Sequence, residues 1–380
     1  MPAPAAGPRP ERPRCRRGTG ADGTSRSARS GPVTPEVLTV VRDGIGWITL
    51  NRPRAINALT HAMLRAIDDA LTHWESDERV RAVVIDGAGE RGLCAGGDIR
   101  SIYDDARAGG TSSLAFWADE YRLNAHIARY PKPYVALMDG LVLGGGVGVS
   151  AHGSLRVVTE RSRVGMPETG IGFCPDIGGT HLLSRTPGEL GTHAALTGAH
   201  LSGADAIHCG LADFFVPSER LEDLRTALAT QDPRDAVTAL AQTPPESALA
   251  ADTAWIDACY AADTVEEILD RLHETGNSAT AKEVLAKSPT ALKVTLRALR
   301  TARTLPSLEA ALMQEYRIVC ASLTAPDLTE GIRAQVIDKD RNPRWSPATL
   351  DEVTPALVDR FFTAPAHGDL AISAPNEGTR

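Results

Sequence analysis

Two glycine-rich turns and a nearby pair of carboxylates are the residues whose types and spacing could do chemistry. The first turn follows the apolar run Val83-Val84-Ile85-Asp86 and reads Leu93-Cys94-Ala95-Gly96-Gly97-Asp98. The second follows Tyr134-Val135-Ala136-Leu137 and reads Leu143-Gly144-Gly145-Gly146-Val147-Gly148. Each offers backbone N–H groups where a helix is about to start, and such groups lack partners within the helix. Two of them converging on one point make a cradle for a negatively charged oxygen, and Gly or Ala lets a ligand approach the backbone closely. A carbonyl oxygen that gains charge during a reaction suits that cradle. Downstream, Met166-Pro167-Glu168-Thr169-Gly170-Ile171-Gly172-Phe173-Cys174-Pro175-Asp176-Ile177-Gly178-Gly179 places Glu168 and Asp176 among Gly, Pro and apolar residues. Carboxylates in such surroundings have raised pKa values and serve as base, acid or nucleophile. Together these groups point to chemistry at an activated carbonyl.

The elements that must position them are readable in outline. Leu38–Val41 and Trp47–Leu50 flank a D-G turn at Asp43-Gly44 and predict a hairpin. Thr60 caps a predicted helix whose apolar face is Met63, Ile67, Leu71 and Trp74. Val80–Asp86, the segment after Lys132-Pro133, and Leu155–Val158 read as strands. Strand, glycine turn and helix recur twice, which predicts an α/β core built as a ββα spiral. From about Gly203 the pattern turns mainly helical: Val265, Ile268, Leu269 and Leu272 share one face, and Leu292, Leu296 and Leu299 another. Ser288-Pro289 starts the latter helix. The expected organisation is a disordered N-terminal extension (1–35), a core (36–240), a helical C-terminal region (241–362) and a flexible tail (363–380).

Composition narrows the function classes. At 380 residues and 42% hydrophobic content the chain can bury a full core. A net charge of −8 gives no electrostatic case for nucleic acid, and the apolar runs fall far short of a membrane span. Six cysteines without paired spacing favour reduced thiols in a cytosol-like compartment. The first thirty or so residues are Arg- and Ser-rich and acid-poor, as in a mitochondrial transit segment. Pro8, Pro10 and Pro13 would break a helical stripe there, so a disordered extension is expected, with a cytoplasmic location and the mitochondrial matrix as its alternative. No histidine falls in a metal pattern, so no metal is expected. Gly146-Val147-Gly148-Val149-Ser150-Ala151 matches a loose dinucleotide pattern, but no further βαβ half follows it.

In order and spacing these segments resemble the crotonase (enoyl-CoA hydratase/isomerase) superfamily, and within it the 3-hydroxyisobutyryl-CoA hydrolases. Leu50-Asn51-Arg52-Pro53, Ile56-Asn57-Ala58-Leu59, Cys94 to Arg100, Lys132 to Ala136, the triple glycine, Met166 to Gly179 and Glu330 to Ala334 carry the resemblance, from about Val37 to about Phe362. It implies oxyanion donors at the N–H groups of Ala95 and Gly145, and catalytic roles for Glu168 and Asp176. It also implies a substrate-binding set of Glu120, Gly96, Gly97 and Asp98, although helix cap and salt bridge are the stronger readings of Asp98 than a part in catalysis. The implied reaction is hydrolysis of 3-hydroxyisobutyryl-CoA in valine breakdown. Coenzyme A is then part of the substrate, and no separate cofactor is expected. Hydratases of the superfamily use a second glutamate three residues after the middle glycine, and here that position is Gly148. An isomerase needs one carboxylate and stays as an alternative, as does a non-catalytic acyl-CoA-binding protein. Relatives often assemble through the helical region, so a trimer is expected, or a monomer or dimer if the added C-terminal length folds back.

Overall fold

The turn read at Asp43-Gly44 forms a hairpin: both residues take positive φ, 54° and 76°, matching the twist a two-residue connection needs. It joins β1 (Val37–Arg42) antiparallel to β2 (Ile45–Leu50). The structure, a computed structural model, describes residues 1–2, 7 and 34–372. The chain divides into Met1–Thr34 and Pro35–Arg380, and every helix and strand of the described residues belongs to the second unit. Apart from residues 1–2, 7 and 34–35, the segment read as a disordered extension lies outside the described residues.

The remaining strands are β3 (Ala82–Gly87), β4 (Tyr134–Met138), β5 (Leu141–Leu143), β6 (Leu155–Val158), β7 (Arg163–Gly165), β8 (His200–Ser202) and β9 (Phe214–Phe215). One sheet has the spatial order β1-β2-β3-β4-β6-β9 and is parallel from β2 onward. A smaller sheet pairs β5 with β7 and β7 with β8. Parallel strands covered on both faces read as continuous apolar runs, and Val83, Val84 and Ile85 are all fully buried. Alternation sends Val83 and Ile85 to one core, with Leu71 and Trp74 of the helix His61–Glu75. Ala82 and Val84 go to the other, under Leu224, Leu228 and Val237.

Local signals hold where they were read. The Thr60 hydroxyl accepts from Met63 N at 3.2 Å, and Met63, Ile67, Leu71 and Trp74 are buried, each such apolar side chain contributing about 1.5–3 kcal/mol. Ser288 Oγ accepts from Ala291 N at 3.0 Å and starts the helix Pro289–Ala302, whose Leu292, Leu296 and Leu299 are buried. The expectation of a flexible tail from 363 is corrected for 363–372. There Arg317 pairs with Asp369 at 2.7 Å and Leu370 lies in the main core, an apolar anchor the short segment did not advertise. Residues 373–380 lie outside the described residues.

What brings the two glycine turns together is a short backbone ladder between the chain after β3 and the chain around β5. Leu93 N donates to Asp139 O at 3.0 Å, Cys94 N to Leu141 O at 3.1 Å, Leu143 N to Cys94 O at 2.9 Å and Leu141 N to Arg91 O at 3.1 Å. The approach is so close that a Cβ on Gly92 would sit 2.1 Å from Leu141 N, and one on Gly146 would sit 2.5 Å from Cys94 O. Gly92 also holds a φ of 148°. Overpacking of this kind costs about 1–3 kcal/mol. Gly92→Ala should therefore lower the unfolding free energy by about 2 kcal/mol or more, read from a denaturant midpoint. An unchanged midpoint would show that the ladder does not require this contact.

Candidate active site

The cradle forms, but one of its expected donors is different. Ala95 N–H donates to Ile56 O at 2.9 Å, so the expectation that it faces a bound oxygen is corrected. The first turn pairs with the segment before the helix His61–Glu75: Leu59 N donates to Gly96 O and Asp98 N to Leu59 O, both at 2.8 Å. In a parallel bridge of this kind the intervening residue turns its own N–H the other way. That residue is Gly97, whose N–H meets no acceptor among the described residues. Gly145 N, at the start of the short helix Gly145–Gly148, is likewise without an acceptor. A Cβ built on Gly145 would lie 3.3 Å from Gly97 N. A Cβ is about 2.5 Å from its own nitrogen, so the two N–H groups are within about 6 Å and can share one oxygen about 3 Å from each. Gly96 and Gly144 make the sharp turns, with φ of 108° and 48°, conformations that favour glycine.

Asn57, fully buried, pins the first turn. Its Nδ2 donates to the carbonyls of Ala88, Gly92 and Leu93 at 3.1, 3.2 and 3.0 Å. The Ile56-Asn57-Ala58-Leu59 motif thus has a physical task, because one buried amide satisfies three carbonyls that a tight loop leaves without partners.

Glu120, Glu168 and Asp176 line one cavity of about 340 Å³ together with Gly96, Gly97 and Gly145. Glu120 comes from the helix Ser112–Ala128 and Glu168 opens the 3₁₀ turn Glu168–Ile171. All three are buried. Burial, then repulsion from Asp176, lifts the Glu168 carboxyl well above its ordinary range. Glu120 rises for the same reasons, with Glu168 adding a further push. Burial pushes Asp176 up to about 7. Its rise is opposed by the Tyr121 hydroxyl, which donates to Asp176 Oδ2 at 2.8 Å. Glu120 Oε1 and Glu168 Oε2 are buried without a partner among the described residues, as groups awaiting a ligand or water are. Glu168 Oε1 lies 2.8 Å from where a Cβ on Gly144 would be, and Glu120 Oε1 lies 2.7 Å from one on Gly145. Two acids therefore flank the cradle itself.

Trp117, stacked on Phe173 at 5.6 Å, gives the cavity an apolar wall with Phe116 and Ile102. Lys287 and Gln335 reach it from the helical region and were not legible as site residues. Lys287 is the one cation of the lining, its pKa lowered by burial. Asp98, expected in the substrate-binding set, lies outside this lining and pairs with Arg52 at 3.0 Å. Its salt-bridge reading is the one that holds, and it makes no side-chain cap bond. The Cys94 thiol is pushed up to about 12 by burial, which removes it as a nucleophile at neutral pH.

Gly148 is closed to a larger residue. A Cβ there would lie 2.8 Å from Asn124 Nδ2 and 3.0 Å from Ile177 Cβ. The space a second glutamate would need is already filled by Asn124 and Ile177.

The chain is similar to known proteins over most of its length. The profile of the enoyl-CoA hydratase/isomerase family matches residues 45–362. The 3-hydroxyisobutyryl-CoA hydrolase, mitochondrial, of Danio rerio is 43% identical over 351 residues, covering 89% of this chain and 92% of its own. The Homo sapiens protein of the same name is 40% identical over 360 residues, covering 91% and 93%. Among solved structures, a carnitinyl-CoA dehydratase from Mycobacterium thermoresistibile is 53% identical with a TM-score of 0.87, covering 91% of this chain and 100% of that one. An enoyl-CoA hydratase from Rhodobacter sphaeroides 2.4.1 is 41% identical with a TM-score of 0.84, covering 89% and 100%.

The carboxylate cluster has a thermodynamic signature. Asp176 is raised from 3.8 to about 7 in the folded protein, so folding favours its protonated form. Its contribution to stability is complete below the unfolded value and is lost as pH rises through the folded one. Between about pH 4 and about pH 8 the wild-type thermal midpoint should therefore lose this contribution. Asp176→Asn, which has no proton to lose, should show a shallower fall. Parallel curves for the two proteins would contradict the burial of an ionisable Asp176.

Proposed function

The chain belongs to the enoyl-CoA hydratase/isomerase family, and from that premise we propose that it hydrolyses 3-hydroxyisobutyryl-CoA to 3-hydroxyisobutyrate and coenzyme A, a step of valine breakdown. The curated relatives that match over about nine-tenths of the chain carry that activity in their names. The observation that carries the reading is the pairing of two partnerless N–H groups, Gly97 and Gly145, with buried acids around them and a closed position 148.

The thioester oxygen sits between the two N–H groups, which stabilise it as it gains charge; one such donor is worth about 10²–10³ in rate. A charged carboxylate beside that oxygen would oppose the charge. Burial lifts the Glu120 carboxyl well above its ordinary range, which favours its protonated, hydrogen-bond-donating form beside the oxygen. Glu168 delivers oxygen to the carbonyl carbon, either directly, forming a mixed anhydride that water then cleaves, or by deprotonating the attacking water. The Tyr121 hydroxyl, donating to Asp176, favours its ionised form. The Asp176 carboxylate accepts the hydrogen bond of the substrate hydroxyl, and the proton that Glu168 takes from water passes to the leaving thiolate. The C–S bond breaks with the electron pair leaving on sulfur, and a thiol pKa of about 8.5 makes that thiolate a good leaving group. Lys287, without a hydrogen-bond or ion-pair partner on its ammonium among the described residues, suits the anionic part of the coenzyme.

The two solved structures carry dehydratase and hydratase names, which makes hydration the competing reading. Water addition in this family uses a second glutamate, and here that position is Gly148, hemmed in by Asn124 and Ile177. A reducing compartment, cytosol or mitochondrial matrix, suits the cysteines, of which five are free among the described residues.

Thiol release across a panel of acyl-CoAs tests the reading. Release from 3-hydroxyisobutyryl-CoA with no absorbance change on an enoyl-CoA supports it, and the reverse result refutes it. Glu168→Gln should cut thiol release by about 10²–10⁴ while leaving coenzyme A binding nearly intact. Near wild-type release would place the chemistry elsewhere. Gly148→Glu should gain no hydratase activity and should not raise hydrolysis.

A further inference from the structure

The loop that carries Asp176 is held in an unusual backbone conformation by a carboxylate from another part of the chain. Ile177 has a φ of 55° and Gly178 one of 79°. A β-branched residue in the left-handed region is a genuine outlier, costing of order 1–3 kcal/mol, and persists only where its surroundings over-determine it. Those surroundings are visible. Glu315, 1% exposed on the helix Leu308–Leu323, accepts Gly178 N at 2.6 Å through Oε2 and Thr180 N at 2.9 Å through Oε1. Oε1 also accepts the Thr180 hydroxyl. On the other side His152 Nε2 lies 2.8 Å from Ile177 O. Gly179 N closes the turn on Asp176 O at 2.6 Å.

Buried carboxylates are costly unless they are fully bonded, and a structural tie could be made with neutral groups. Here both oxygens of Glu315 are committed to two residues of one loop, next to the acid that lines the cavity. A Cβ on Gly178 would lie 2.6 Å from Leu308 and 2.7 Å from His152, so the loop is gripped from both sides. We propose that Glu315 is a positioning residue, whose carboxylate holds the strained Ile177-Gly178 backbone and thereby aims Asp176 at the cavity and at the Tyr121 hydroxyl. This assigns the helical region a part in the reaction beyond covering the core. For its catalytic consequence the inference rests on the hydrolase reading above, but the clamp can be tested without it.

Glu315→Gln tests both. An amide oxygen can replace one carboxylate oxygen, but its NH₂ would meet an N–H, so one end of the clamp must open. Amide hydrogen exchange at Gly178 and Thr180 should accelerate in the folded variant, whatever the enzyme acts on. Thiol release should fall about 10²-fold in kcat, the cost of a small misplacement of a reacting group, with coenzyme A affinity within about twofold of wild type. Thr180→Val removes only the hydroxyl bond. It should give a fall in the same direction but smaller, and serves as the reporter if Glu315→Gln does not fold. Unchanged exchange at Gly178 and Thr180 in Glu315→Gln overturns the clamp. Faster exchange with unchanged kcat overturns the positioning role while leaving the hydrolase reading intact. Absence of thiol release in the wild-type protein would refute that reading and leave the clamp to the exchange data.

Discussion

The backbone ladder between residues 91–94 and 139–143 is the constraint on which the site depends. Four main-chain hydrogen bonds set two loops side by side, and their carbon-to-carbon closeness demands glycine at Gly92, Gly140 and Gly146. With the ladder in register, Gly97 N and Gly145 N come within about 6 Å of each other and face the same space. A slip of one residue would turn the wrong N–H inward, just as it flips side chains in a sheet. Asn57 guards against that slip by binding three carbonyls of the first loop. Rigid backbone donors of this sort need no reorganisation when charge develops, which is where their catalytic value lies.

Around that fixed point the chain buries acids that would be cheaper to leave in water. Glu120, Glu168 and Asp176 are all pushed upward, with burial as the first cause for each. Their environments are nevertheless unequal. Asp176 has the Tyr121 hydroxyl, whereas Glu120 and Glu168 each keep a partnerless oxygen. That inequality gives neighbouring carboxyls different hydrogen-bonding surroundings, the condition under which they take different roles. Sites of this kind sacrifice stability for a poised arrangement, and the cost is borne by the two well-filled cores on either side of the main sheet.

Much of this was legible in the sequence because its signals are local. Thr60, Ser288 and the Asp43-Gly44 turn act within a few residues, and the apolar spacing of Met63, Ile67, Leu71 and Trp74 declares a buried face. Glu168, Asp176 and Glu120 stood out through resemblance and through the scarcity of charge around the first two. What escaped depends on tertiary contact. Ala95 and Gly97 are indistinguishable as residue types in a turn, and only the bridge to Leu59 decides which N–H is free. Asp98 drew attention by its position, yet Arg52, far away in sequence, claims it. Gln335, Asn124 and Glu315 sit on helices whose periodicity reveals burial but not what they meet, and Lys287 lies in the bend between two helices. Leu370 follows a polar, proline-containing stretch, so nothing local marked it as a core residue.

The central claim is that Gly97 and Gly145 polarise the substrate's thioester carbonyl. Difference infrared spectroscopy of 3-hydroxyisobutyryl-CoA, ¹³C-labelled at that carbonyl and bound to the Glu168→Gln protein, tests it most directly, because the band reports hydrogen bonding at the reacting oxygen before any bond breaks. The account predicts a bound carbonyl band displaced to lower frequency than that of the free thioester in water, as two aligned donors in a water-poor cavity require. A bound band at the frequency of the free thioester would show that no such cradle holds the oxygen.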